Sequence, residues 1–159
     1  MHKQSIIVSV VLVAFLAGVV PALAGADTDA ALEYLKGQQN TDGGFGSGFS
    51  PDSAVGSTAD AVLAIVAAGS DPGDFDQEGN TPLTYLAATA ASVTNGGDLA
   101  KLILALIAAD ENPRDFGGID PVTGLETMID PGGRIGSEDD IFVSHLLAVL
   151  ALSSAQQPI

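Results

Sequence analysis

The stretch Ala67-Ala68-Gly69-Ser70-Asp71-Pro72-Gly73-Asp74-Phe75 returns as Ala108-Ala109-Asp110-Glu111-Asn112-Pro113-Arg114-Asp115-Phe116, with Pro72 and Pro113 41 residues apart. A second echo links Gly56-Ser57-Thr58-Ala59-Asp60 with Gly136-Ser137-Glu138-Asp139-Asp140, an offset of 80 residues, close to twice the first. A fixed period of this length marks an array of supersecondary units, each stacking on the next to bury its apolar side. The spacing predicts three units, at about 27–75, 76–116 and 117–159.

Each unit reads as a shorter amphipathic helix, a loop, and a longer apolar helix. In the first, Ala31, Leu32 and Leu35 mark one face and Gly43-Gly44 ends the segment. Ser57 with Asp60 three residues on forms a variant capping box ahead of the apolar run Ala61 to Ala68. The second unit opens with Thr81 as N-cap and Pro82 at the first helical position, and its helix is expected to run toward Val93 before Asn95-Gly96-Gly97 breaks it. Asp98 is expected to cap the next helix, from Leu99 to Ala109. The third starts at Asp120-Pro121, runs through Leu125 and Met128 to the turn Pro131-Gly132-Gly133, and ends in a long helix from Ser137 to about Ala155. Length and apolarity would also allow the short runs to be buried strands. Alanine decides against it, being the best helix former and depleted in strands. The expectation is an all-α fold of repeated helix hairpins.

The ends and the composition bound the setting. His2 and Lys3, an apolar run from Ile6 to Val20 and Ala22-Leu23-Ala24 have the form of an export signal at 1–24, leaving a repeat domain at 25–159 and a secreted or extracytoplasmic protein. The run is shorter than the roughly 20 residues that span a bilayer. Cleavage leaves Lys36, Lys101, Arg114 and Arg134 against twenty acids, a formal charge of 4 − 20 = −16. Such a chain lacks the clustered cations that neutralise phosphate, so nucleic acid is excluded as a partner, and anionic lipid repels it. The absence of cysteine excludes disulfides, thiolate zinc sites and cysteine nucleophiles.

Gln39-Asn40-Thr41-Asp42-Gly43-Gly44-Phe45-Gly46, after the helix residues Ala31-Leu32-Glu33-Tyr34-Leu35, resembles the repeat motif of the prenyltransferase and squalene-oxidase type, Gln-x-x-Asp-Gly-Gly-(Phe or Trp)-Gly. Asp115-Phe116-Gly117-Gly118 and Gly132-Gly133-Arg134-Ile135-Gly136 are weaker echoes. The resemblance implies an α/α toroid, in the superfamily of terpene cyclases, protein prenyltransferase β-subunits, cobalamin carriers and secreted bacterial proteins of unknown role. A complete toroid takes about twelve helices, so this chain would form about half of one. The motif has a local, structural explanation: its glycines reach backbone conformations closed to other residues, Asp42 bonds its own turn, and Phe45 packs between helices.

Three chemical readings compete with that one. Ser137-Glu138-Asp139-Asp140 resembles the Asp-x-Asp-Asp acid motif of squalene-hopene-type cyclases with its first Asp replaced, which makes Asp139 and Asp140 candidate proton donors. Against it, the domain has no Trp and seven aromatic residues to line a cation cage, and acids in a first helical turn are explained by the helix dipole. Asp74, Asp76 and Glu78 have the alternation of a calcium loop, but Pro82 stands at its ninth position and Tyr85 at its twelfth, where a bidentate Glu belongs, so a solvated acidic loop is expected. A prenyltransferase zinc site needs Asp, Cys and His, and His145 is the one histidine beyond the signal. No cofactor is expected. The balance favours a binding or interaction module whose partner is a small molecule, a polymer or another protein, and whose exposed apolar helices favour self-pairing as a homodimer. The alternative is a partial terpene-cyclase-like enzyme.

Overall fold

The computed structural model describes residues 25–135 and 142–156. The chain divides into two compact units, 1–34 and 35–159. Among the described residues there are six α-helices and no strand: α1 (Gly25–Lys36), α2 (Val55–Ala67), α3 (Pro82–Thr89), α4 (Gly96–Ala108), α5 (Pro121–Glu126) and α6 (Phe142–Ser154). The fold is all-α. The expected export signal at 1–24, with its cleavage site, lies outside the described residues, and none of the described helices is long and apolar enough to cross a membrane.

Helix α4 is the centre of the second unit, with α2 against one side and α6 against the other. Its apolar residues divide accordingly. Leu102, Ala105 and Leu106 join Ala59 and Val62 of α2, Leu86 of α3 and Phe116 in one cluster. Leu99, Ala100 and Ile103 join Val122 and Leu125 of α5, Ile135, and Ala148 and Ala151 of α6 in the other. A helix apolar around most of its circumference needs cover on both flanks, and α4 has it. Short α3 packs on α2, and short α5 on α4 and α6. Truncating a fully buried leucine here, such as Leu102 or Leu106, costs about 2–5 kcal/mol.

The 41-residue period is visible in the backbone. Helices α2 and α4 have the same length and start 41 positions apart. Both end in a Schellman turn, with Ser70 N–H donating to the Ile65 carbonyl and Glu111 N–H to that of Leu106. Its left-handed residue is Gly69 in the first (φ 79°) and Asp110 in the second (φ 57°). Asp71 then accepts from Gly73 N–H, and Asn112 from Arg114 N–H. Phe75 and Phe116, each four residues after that Asp or Asn, turn inward.

Several boundaries differ from expectation for identifiable reasons. Ser57 does not cap α2. The helix starts at Val55 after Ala54, with no side-chain cap, because Ala54 N–H is held by the Phe45 carbonyl at 3.0 Å. Gly96 and Gly97 do not break the chain but form the first turn of α4, and the N-cap is Asn95, whose Oδ1 accepts from Asp98 N–H at 2.8 Å. Glycine suits position 97 because α6 passes close by: a Cβ there would stand 2.9 Å from Ser144 Oγ, whereas one at Gly96 would meet Ile135, Met128 and Leu125 at ordinary contact distances. Helix α3 stops at Thr89, whose hydroxyl bonds back to the Tyr85 carbonyl, and the chain tightens into a 3-10 turn at Ala90–Ser92. Thr81 caps α3 through a box with Thr84, and Asp120 caps α5 through Thr123 N–H. The start expected at Ser137 lies outside the described residues.

Candidate functional site

The loop Gln39–Phe45 is built almost wholly from short-range polar chemistry. Asn40 N–H donates to the Gly44 carbonyl and Gly43 N–H to that of Asn40, both at 2.9 Å, so the loop closes on itself. Asp42 Oδ1 accepts from Gly44 N–H at 2.9 Å and from the Ser53 hydroxyl at 2.7 Å. Asn40 Nδ2 donates to Ser53 Oγ and to the Pro51 carbonyl, each at 2.9 Å. Gly43 is required twice over: its φ of 87° is left-handed, and a Cβ there would lie 2.5 Å from the Thr81 carbonyl oxygen.

Two residues tie this loop into the body of the unit. Gln39 is buried, and its Nε2 donates to the carbonyls of Gly43 (3.0 Å) and Phe75 (2.9 Å), while its Oε1 is enclosed without a donor among the described residues. Phe45 is buried, and its N–H donates to the hydroxyl of Thr58, itself fully buried on α2, at 2.9 Å. Lys36 Nζ stands 5.2 Å from the centre of the Phe75 ring, within cation–π reach. Tyr85 packs beside Gly44; burial first, and the Asp42 charge second, push its hydroxyl above the usual tyrosine range against a lowering bond with Thr89.

Beyond Gly46 the chain makes a tight hairpin. A Cβ at Gly46 would collide with the carbonyl oxygens of Ser50 and Pro51, so the turn closes only around glycine. Ser47 N–H donates to the Ser50 carbonyl at 2.8 Å, and Ser47 Oγ accepts from the N–H groups of Phe49 and Ser50. Ser50 Oγ accepts from Asp52 N–H. At the tip stands Phe49, with a relative exposure of 104%. A phenyl ring held wholly in water by a pinned backbone is the feature of this region that folding does not explain.

The remaining candidates are placed as follows. Asp74, Asp76 and Glu78 are exposed and flank a turn: Phe75 between them points inward, Asp76 Oδ1 accepts from Gly79 N–H, and Glu78 and Gly79 both have positive φ. Among the described residues, no group of three or more His, Asp or Glu converges so as to hold a metal ion. Asp139 and Asp140, with Ser137 and Glu138, lie outside the described residues. His145 on α6 is half-buried, and its Nδ1 accepts from Ile135 N–H at 3.2 Å, which gives it a structural partner. Compared with protein-family models, curated proteins and solved structures, the chain matches none of them.

Phe49, Ser47, Ser53, Asn40 and Thr58 are the residues of this region that the motif alone does not single out. The signal for Asn40, Ser47 and Ser53 is present in the composition of 40–53, where Asn, Ser, Asp, Pro and Gly alternate, the chemistry of Asx and Ser turns. Thr58 has no such local signal, because its partner lies 13 residues away on another element.

Proposed function

We propose that this chain is an exported, non-catalytic binding or interaction module, and that the hairpin 46–53 is its contact element. The observation that carries the reading is the pinned, fully exposed ring of Phe49. Large aromatic side chains presented on ordered loops supply contact area at low entropic cost, which is why they concentrate at binding hot spots. Export rests on the pattern of residues 1–24. The arrangement of α2, α4 and α6 as successive apolar helices, each followed or preceded by a short one, supports placing the array in an α/α toroid, as the motif at 39–46 implies.

Wild-type and Phe49→Ser proteins, immobilised at equal density, are offered the host's own extracellular proteins and wall polysaccharide. The expected result is a component retained by the wild type and held about tenfold more weakly by the variant, a difference of about 1.4 kcal/mol, with unchanged circular dichroism. Equal retention by both, or none by either, overturns the reading. So does conversion of squalene to a cyclised product that Asp139→Asn or Asp140→Asn abolishes. N-terminal sequencing of protein recovered from the medium tests export, with Gly25 the expected first residue.

A further inference from the structure

Helix α6 packs on α4 through small residues, Ala148 and Ala151, both fully buried. Its opposite side is apolar and open: Phe142 is 72% exposed, and Val143, Leu146, Val149 and Leu150 are each about half exposed. Val143, Leu146 and Leu150 follow the three-then-four spacing of a helix-pairing seam, and Phe142 and Val149, seven residues apart, flank it. The pattern matches the one covered elsewhere in the unit, where α4 has an apolar helix on both flanks and α6 has one.

We propose that this outer face of α6 docks a second copy of the chain, α6 against α6 about a two-fold axis. Charge selects that occupant. The segment Phe142–Ser154 contains no Asp, Glu, Lys or Arg, in a chain whose formal charge is −15. Two copies of so acidic a chain repel each other on net, and an uncharged apolar face is where they can approach. Its one titratable group, His145, is engaged with Ile135 N–H. Among the described residues of α6, a basic partner finds no carboxylate to pair with on this face. An anionic bilayer is repelled by the chain, and the helix has no Lys or Arg to reach headgroups. An isologous contact needs a self-complementary patch, and an uncharged seam of Val and Leu is one. The five side chains expose on the order of 500 Å² per copy, so a pair buries roughly 1,000 Å², the size at which specific interfaces begin. A contact of that size belongs with reversible rather than permanent assemblies.

The test is sedimentation of the protein as recovered after export, its N-terminus read by mass spectrometry. A dimer that forms as concentration rises toward about 100 μM is expected, and Leu146→Glu or Leu150→Glu should weaken it by about tenfold or more with helicity unchanged. Should either Glu variant lose helicity, Leu146→Gln and Val149→Gln are read in the same way. Because the chain has no cysteine, Leu146→Cys and Leu150→Cys each introduce a unique thiol, and at least one should cross-link two copies under mild oxidation. A wild type that stays monomeric at that concentration overturns the proposal, whether or not another protein or residues 1–24 prove to cover the face. So does a dimer that the substitutions leave intact, or one in which neither thiol cross-links. The Phe49 reading is tested separately and survives that failure.

Discussion

Loops 39–45 and 129–135 follow one backbone path and are fastened by different means. In each the second residue's N–H donates to the sixth residue's carbonyl, its own carbonyl accepts from the fifth residue's N–H, and a glycine at the fifth position is left-handed, Gly43 at 87° and Gly133 at 82°. In each the last residue is buried and its N–H is accepted by a side chain on a following helix: Phe45 by Thr58 on α2, Ile135 by His145 on α6. The first loop is wedged between α2 and the segment 80–85, and its acceptor is a buried hydroxyl. The second is open around its glycine, its acceptor is a half-buried imidazole, and its Asp130 Oδ1 accepts from both Gly132 and Arg134 N–H. A shared turn can thus be either a packed strut or a solvated clasp, depending on what presses against it.

The largest expected difference is at the two glycines. Gly43→Ala adds a clash with the Thr81 carbonyl to the left-handed penalty and should cost about 3 kcal/mol in urea unfolding, whereas Gly133→Ala, with open space at its Cβ, should cost about 1 kcal/mol. Equal costs would break the comparison.

The helix acceptors come next. Thr58→Val leaves the buried Phe45 N–H without a partner and should cost about 2 kcal/mol, while His145→Leu should cost about 1 kcal/mol, because the bond from Ile135 N–H to the half-buried imidazole is itself only part-buried. The reverse order would show that the second loop is the strut.

The helix C-caps extend the comparison to the 41-residue repeat. Asp110 occupies the left-handed place that Gly69 occupies one unit earlier, so Asp110→Gly should stabilise the protein by about 0.5–1 kcal/mol in thermal or urea unfolding. A loss of stability would mean that the Asp110 side chain contributes something the cap geometry does not show.

The smallest effect is a pH dependence confined to the second loop. Arg134 N–H first, then Gly132 N–H and the Arg134 charge, hold the exposed Asp130 carboxyl below the usual carboxylate range against a slight desolvation. A lowered folded pKa means the contribution is present above the ordinary aspartate value, about 3.9, and is lost as pH falls through the lowered one. The difference in urea midpoint between wild type and Asp130→Asn should therefore be constant above about pH 5 and shrink in stronger acid. Asp120 behaves in the same sense: burial, which raises its pKa, is outweighed by the N–H and hydroxyl of Thr123 and by Arg114.

The helical class, Thr81-Pro82 and Asp120-Pro121 as starts, and the turn at Gly43-Gly44 were legible in the residues because each rests on local chemistry. Propensity, capping and turn formation act over four or five residues, and the chain writes them in order. Ser57 shows where that reading stops: it has the right type and spacing for a cap, yet the tertiary contact of Ala54 and Thr58 with Phe45 supplies the helix start instead. Gly97 looks like a breaker until Ser144 of α6 is seen to need the room.

What the residues by themselves determined is therefore the inventory of helices and bends and the acidic, cysteine-free character of the chain. The tertiary structure alone decided that α4 is the helix covered on both sides, that Phe49 stands in water while Phe45 does not, and that a threonine and a histidine do the same work for two loops. The physical reason is that a buried N–H or an apolar ring takes whichever partner the packing brings to it, and that partner lies far along the chain.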